Sequence, residues 1–317
     1  MKLRICIVAI YFGPLPAHFS LWLDSCSKNA NFDWLLLHDR ENLTAILPTN
    51  VHPIKTDLHS IKVALETGLE LKLSLENPYK ICDYRPAFWV LLQHFGIESE
   101  YWGHCDFDMV FGNISAFISK DGLTQYDKLL EFGHLSIYRN DAIARAAFLL
   151  PGSQESWTKV RTSQHTLGFD ERHGINSIWN SNGLRILKLE RSVADVLPSF
   201  RKLILGKLRL NRFGQQFYYK NGRVWQAYKY PFCAWRHREF AYIHLQKRMM
   251  ECSIESPIAT HTWIRHDGFF SLPTWPPTKA AIDSANQRTA ITLQEALGLL
   301  KLILRKVRSS HADYTQN

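Results

Sequence analysis

The chain has 317 residues, 46% of them apolar and 21% charged, with a net charge of +9. That balance is ordinary for a globular protein with a large core, as one big domain or a domain plus an extension. No apolar run reaches the roughly 18 residues of a membrane span, and the six cysteines show no CxxC or zinc-type spacing, which predicts reduced thiols in a cytosolic protein.

Residues 3–10, apolar apart from Arg4 and rich in β-branched residues, predict a fully buried strand and not a signal peptide. Gly13 and Pro14 break it. Phe19, Trp22, Leu23 and Cys26 then fall at helical spacing. Residues 32–38 and 51–54 read as two more strands. Alternation of this kind predicts an α/β fold with a mainly parallel sheet. In such sheets ligands sit beyond the carboxyl ends of strands, so Tyr11, Phe12, Gly13 and Asp39 are candidates for binding a nucleotide. Gly13 and Pro14 also suit a plain turn.

Residues 61–75 read as a helix. Pro86 is placed to start another over residues 87–95. Lys80, Asp83 and Arg85 precede that start, where a helix end and nearby cations favour an anion. An ordinary solvated turn with an Asp–Arg pair is the plainer alternative.

Residues 101–113 (YWGHCDFDMVFGN) read as a buried strand ending in Asp106 and Asp108. Residues i and i+2 of a strand share a face, so both carboxylates can converge. Two convergent carboxylates suit a hard divalent ion, Mg²⁺ or Mn²⁺, that also holds phosphate oxygens. Acids set among aromatic and aliphatic residues are costly unless used, which favours a metal site over a solvated turn.

A helix is expected from residue 114 to 118 and strands over 126–132 and 184–189. Asp170 and Glu171 precede a helix over 175–179, where Asp170 could also serve as its N-cap. Asn221-Gly222 signals a hairpin. The basic run 201–212 reads as a surface loop or lid. Residues 241–248 (AYIHLQKR) alternate like a strand and end in Lys247 and Arg248; His244 there is either a packed histidine or a metal ligand. Prolines 273, 276 and 277 mark a linker over 269–290. Thr292 and Glu295 then make a capping box for a helix with a Leu face and a Lys/Arg face, suited to a membrane surface or to packing on the domain. The expected domains are therefore 1–268, the linker 269–290, and a basic amphipathic helix and tail over 291–317.

An apolar strand running into Asp-x-Asp near residue 100 resembles the nucleotide-sugar glycosyltransferases of the GT-A fold. Six segments together, 10–13 (IYFG), 75–87 (LENPYKICDYRPA), 102–112, 133–140 (GHLSIYRN), 169–176 (with FDE and GIN) and 244–248 (HLQKR), resemble a bacterial family of glycosyltransferases encoded in surface-polysaccharide (O-antigen or capsule) gene clusters. The likeness spans residues 3–250 and rests on the order and spacing of the segments. It implies a nucleotide-sugar donor and a saccharide acceptor, lipid-linked in such pathways, at the inner face of the cytoplasmic membrane. It implies a divalent metal on Asp106, Asp108 and His244, and a donor sugar beside Gly133 and His134. It assigns Lys80, Arg85, Lys247 and Arg248 to the diphosphate, Asp83 to a base or ribose hydroxyl, and Asp170 or Glu171 to the acceptor if the enzyme inverts. No nucleic-acid-binding motif is present. The competing expectations are a non-catalytic sugar- or lipid-binding module and a metal-dependent phosphotransferase.

Overall fold

The computed structural model describes residues 5–43, 45–118, 120–229, 233–254 and 261–272, together with 275, 277, 278 and 280–282. In order come β1 (Ile5–Tyr11), α1 (Phe19–Ser27), β2 (Phe32–His38), β3 (Val51–Lys55), α2 (Leu58–Leu69), a 3-10 segment (Pro78–Ala87) and α3 (Trp89–His94). Next are β4 (Tyr101–Cys105), β5 (Met109–Phe111), α4 (Lys120–Gln125), β6 (Lys128–Phe132), β7 (Leu135–Arg139), α5 (Ala142–Ala146), α6 (Trp157–Thr162) and α7 (Ile175–Ser181). The remaining strands are β8 (Ile186–Leu187), β9 (Val193–Asp195), β10 (Gln216–Lys220), β11 (Arg223–Tyr228), β12 (Arg236–Phe240), β13 (Tyr242–His244), β14 (Glu251–Ser253), β15 (His261–Ile264) and β16 (Gly268–Leu272).

The main sheet has seven strands in the order β3-β2-β1-β4-β7-β6-β8. Strands β3, β2, β1 and β4 are parallel, and β7 runs against both β4 and β6. Both faces of this sheet are covered, which is why β1 is apolar throughout. Cys6 and Val8 enter one core, and Ile5, Ile7 and Ala9 enter the other. On the first side lie α2, α3, α6 and α7; on the second lies α1, through Phe19, Trp22, Leu23 and Cys26.

Helix α2 stops at Leu69, short of the expected residue 75. Asp57 caps its start by accepting from the Ser60 N–H at 2.7 Å, and Glu70 turns left-handed (φ 55°) at its end. Leu73 and Leu75 stay buried without being helical, so the apolar spacing misled. Pro86 starts no helix. Residues 78–87 are already 3-10 turns, capped by Asn77, and α3 begins at Trp89. The stretch after Asn113 is a 3-10 turn over Ile114–Ala116 and not a longer helix.

Beyond residue 190 the chain builds two further sheets that the sequence reading did not anticipate. One has six strands in the order β12-β11-β10-β15-β16-β14, antiparallel except for β14 with β16. The other has three, β5-β13-β9. A third core fills the space between them, with Val110, Ala194, Phe217, Val224, Phe240, Ile243 and Phe269. The expected hairpin is present: Asn221 (φ 48°) and Gly222 (φ 73°) join β10 to β11, both in the left-handed region that such a turn requires. Strand β16 crosses the expected boundary at 268, so residues 269–272 are sheet and not linker. The helix expected over residues 291–317 lies outside the described residues. No described helix is long and apolar enough to cross a membrane.

Candidate metal centre

The order of the main sheet reverses at β1, which has β2 on one side and β4 on the other. Such a reversal opens a crevice outside the carboxyl ends of the two central strands. Residues 11–13 leave β1 there, and Asp106 leaves β4.

Strand β4 ends at Cys105, so Asp106 and Asp108 do not lie on a continuous strand as expected. They sit on a bend between β4 and β5. Phe107 orients them. Its ring is buried against Tyr11 (4.9 Å between centroids) and Trp22 (4.6 Å). With Phe107 held in the core, the acids on either side are left facing the crevice. Tyr11 and His18 lie close enough to feel the Asp108 charge.

Pairing of β13 completes the centre. His244 stands opposite Met109 of β5 and opposite Asp195 of β9. One oxygen or nitrogen each from Asp106, Asp108 and His244 falls within 4.8 Å of the others. His244 Nε2 lies 3.4 Å from Asp108 Oδ1, a buried oxygen. The other ring nitrogen, Nδ1, lies 2.8 Å from Asp195 Oδ1, which also accepts from Gln246 Nε2 at 2.9 Å. Burial alone would lower the His244 pKa; the hydrogen bonds to Asp108 and Asp195 outweigh it and lift it to about 9. Burial likewise opposes Asp108, yet His244 and the Lys247 N–H hold its carboxyl below the usual range.

The backbone after His244 is strained toward the same point. Gln246 (φ 49°) and Lys247 (φ 58°) are both left-handed without being glycine. Such residues cost on the order of 1 kcal/mol or more each and cluster at functional sites. Here the conformation aims the Lys247 N–H at Asp108 Oδ2, 2.5 Å away.

Arg85 links this centre to Asp170. Its guanidinium pairs with Asp106, and donates to Asp170 Oδ2 at 2.8 Å and the Gly133 carbonyl at 2.6 Å. Burial, helped by Asp106 and Glu171 and opposed by Arg85, lifts Asp170 to about 7. Asp106 is raised as well, by burial first, against Arg85. Asp170 caps no helix, because Gly174 holds that place in α7. Glu171 is exposed beside it, and a Cβ on Gly133 would come within 2.7 Å of Glu171 Cγ, so that side chain would have to shift.

His134 stacks on His244 at 3.8 Å and lies 3.1 Å from the Tyr242 hydroxyl. His134, Asp195 and His244 form a second group of donors within 4.8 Å. Asp39 sits at the rim and accepts from the Gly13 N–H at 2.9 Å. Phe12 is half-buried against the core under α2 and α3.

Three expectations are corrected. Lys80 and Asp83 do not face the crevice. Both are buried, paired at 2.7 Å, and tie the 3-10 segment to residues 165–169: Lys80 donates to the His165 carbonyl, and Asp83 accepts from the Leu167 and Phe169 N–H groups. Arg248 donates to the carbonyls of Leu197 and Phe200, so it braces a loop. Lys247 does stay at the rim, 2.6 Å from the Tyr79 hydroxyl. Asp195 was missed, since a single acid in a three-residue strand carries no signal in the sequence. A cavity of about 470 Å³ opens at the amino ends of β1 and β2, the opposite end of the sheet from this centre.

A mixed α/β fold with a donor set of two carboxylates and an imidazole at a strand-order reversal is thus the class to which the chain belongs. Residues 7–273 match a family of unknown function (DUF6625), and the chain belongs to that family. No curated protein matches it.

Because Asp195 holds Nδ1, it fixes which face of the imidazole is left for a metal. Removing such a partner typically costs about 10- to 100-fold in metal affinity. Asp195→Ala, which removes that acceptor, should weaken Mn²⁺ binding by that factor, measured by titration. Unchanged affinity would mean that Asp195 has no orienting role.

Proposed function

We propose that this protein is a metal-dependent glycosyltransferase of the GT-A type, moving a sugar from a nucleotide-diphosphate donor to a saccharide acceptor. The observation that carries the reading is the convergence of Asp106, Asp108 and His244, with Asp108 Oδ1 buried 3.4 Å from His244 Nε2, outside the carboxyl ends of β1 and β4. Two carboxylates and one imidazole fit Mn²⁺ or Mg²⁺ bound with phosphate oxygens. When bound there, the ion offsets charge on the departing nucleoside diphosphate.

The chain's own residues divide the remaining work. Tyr11, Phe12, Gly13 and Asp39 line the donor side, at the ends of β1 and β2. Arg85, paired with Asp106, and the Lys247 ammonium, close enough to Asp106 to feel its charge, add positive charge beside the acids. Gly133 and His134 stand beside the position of the donor sugar. Asp170, with its carboxyl near 7, is suited to take a proton from an acceptor hydroxyl once Arg85 releases it, with exposed Glu171 as the alternative. The sugar acceptors implied by the surface-polysaccharide likeness are lipid-linked.

The test is release of nucleoside diphosphate from a panel of nucleotide sugars, with and without Mn²⁺. Metal-dependent release from at least one donor is expected. No release, together with no thermal stabilisation by any nucleotide, would overturn the reading.

The raised His244 pKa gives a signed pH dependence. An ion on Nε2 displaces that proton, so below about pH 9 each ion bound releases one. Mn²⁺ affinity should therefore rise with pH, by about a hundredfold between pH 6 and 8. A flat profile would show that His244 is not a ligand.

A further inference from the structure

A second charged feature lies away from the crevice, on the edge of the six-stranded sheet. Strand β12 is the outermost strand, and its register places Arg238 opposite Gln226 and Arg236 opposite Tyr228. Residues directly opposite, and those two apart on one strand, share a face. Arg236, Arg238, Gln226 and Tyr228 thus lie on one side of the sheet.

The loop 205–215 folds over that same side. Gln226 Nε2 donates to the Leu210 carbonyl at 2.9 Å, and the Arg212 guanidinium sits 5.6 Å over the Tyr228 ring. Asn211 fixes the loop by exchanging hydrogen bonds with Leu205 at 2.8 and 2.9 Å. Arg191 joins from the approach to β9, accepting on its carbonyl from Arg238 Nη2 at 2.9 Å. Burial, then Arg212, and further Arg191 and Arg209, depress the Arg238 pKa, which records how closely these cations are gathered.

Among the described residues, Arg191, Arg209, Arg212 and Arg238 form no ion pair with a carboxylate. Glu190 is taken by Lys207, and Glu239 points to the other face of β12 and pairs with Arg223. At the tip of the loop stands Phe213, 87% exposed, followed by Gly214 in a left-handed turn (φ 62°). This sets an exposed apolar ring directly beside Arg212 and four residues from Arg209. It is the arrangement by which a loop enters the boundary between headgroups and acyl chains of an anionic bilayer.

We propose that Phe213 and the arginines around it dock this protein on an anionic lipid surface, with the guanidinium groups on lipid phosphates and the phenyl ring below them. Guanidinium forks match phosphate oxygens two at a time, which suits arginine over lysine here. A single-stranded nucleic acid is the poorer partner, because its bases stack on rings lying along a groove, whereas Phe213 projects and Tyr228 is already covered by Arg212. The inference stands on this surface alone and does not need the proposed reaction.

The test is co-sedimentation of the full chain with phosphatidylcholine vesicles, with and without phosphatidylglycerol. Each cation near such a surface contributes roughly fivefold in partitioning. The triple variant Arg209→Gln/Arg212→Gln/Phe213→Ser should bind the anionic vesicles at least about 20-fold more weakly. A charge-matched control at exposed Lys55→Gln/Lys72→Gln should stay within about twofold of the parent. Binding of the parent should also weaken with salt. The proposal is overturned if the triple variant, folded by circular dichroism, partitions like the parent. It is equally overturned if neutral vesicles bind as well, or if the patch retains a single-stranded oligonucleotide and no vesicle.

Discussion

Replacing Asp108 by Asn should reduce metal-dependent release of nucleoside diphosphate by on the order of a thousandfold, the several kcal/mol that a metal supplies to such a leaving group. The substitution keeps the shape and the oxygen that accepts the Lys247 N–H, so the bend between β4 and β5 survives. It removes the charge that the buried Asp108 Oδ1 presents to His244 Nε2. The loss should therefore appear in rate and in Mn²⁺ affinity, and not in melting temperature beyond a few degrees. Activity equal to the parent would remove Asp108 from the centre. A collapse of stability would instead mean that the carboxylate is a structural partner of His244.

The second large effect concerns stability. Asp83→Ala strands the Lys80 ammonium in the interior and leaves the Leu167 and Phe169 N–H groups without an acceptor. Breaking a buried pair from one side costs about 3–5 kcal/mol. For a domain of this size that lowers the melting temperature by roughly 6–15 °C. Lys80→Met, which fills similar volume, leaves Asp83 its two N–H donors and should cost less. A change under about 2 °C for Asp83→Ala would show that the pair is not what ties the 3-10 segment to residues 165–169. A loss of donor affinity in Lys80→Met without a loss of stability would return Lys80 to the ligand site.

That pair marks the limit of what the sequence could tell. Lys80 and Asp83 stand three apart in a polar stretch next to Arg85, and nothing local separates a cation that faces solvent from one that is sealed in. Their burial comes from α6 and residues 165–169, which pack over them from far along the chain. Long apolar runs were legible, because full burial on both faces of a parallel sheet leaves one composition. Strands β1 and β2 match their expected spans within two residues. Strands β9, β12, β14 and β15 were not legible. They are three to five residues long, and β12 alternates arginine with polar residues on an exposed edge.

The candidate centre was readable where chemistry repeats in sequence and opaque where it depends on register. Two acids one residue apart are visible at once, although the bend at Phe107, and not a strand, is what aims them. His244 could be matched to them by its place in the order of motifs. The pairing of β13 with β5 and β9 then supplies what spacing cannot: it sets His244 between Asp108 and Asp195. Arg85 was legible as a cation near an anion site, but its bridge between Asp106 and Asp170 was not, since those two acids come from separate loops.

The central claim is that Asp106, Asp108 and His244 hold one divalent ion for a nucleoside diphosphate. The most direct measurement is anomalous scattering from crystals grown with Mn²⁺ and a nucleoside diphosphate. A peak is predicted within about 2–2.3 Å of Asp108 and His244 Nε2, with phosphate oxygens completing its shell. A peak seated instead on His134 and Asp195, or a nucleotide bound with no ion near Asp108, would contradict it.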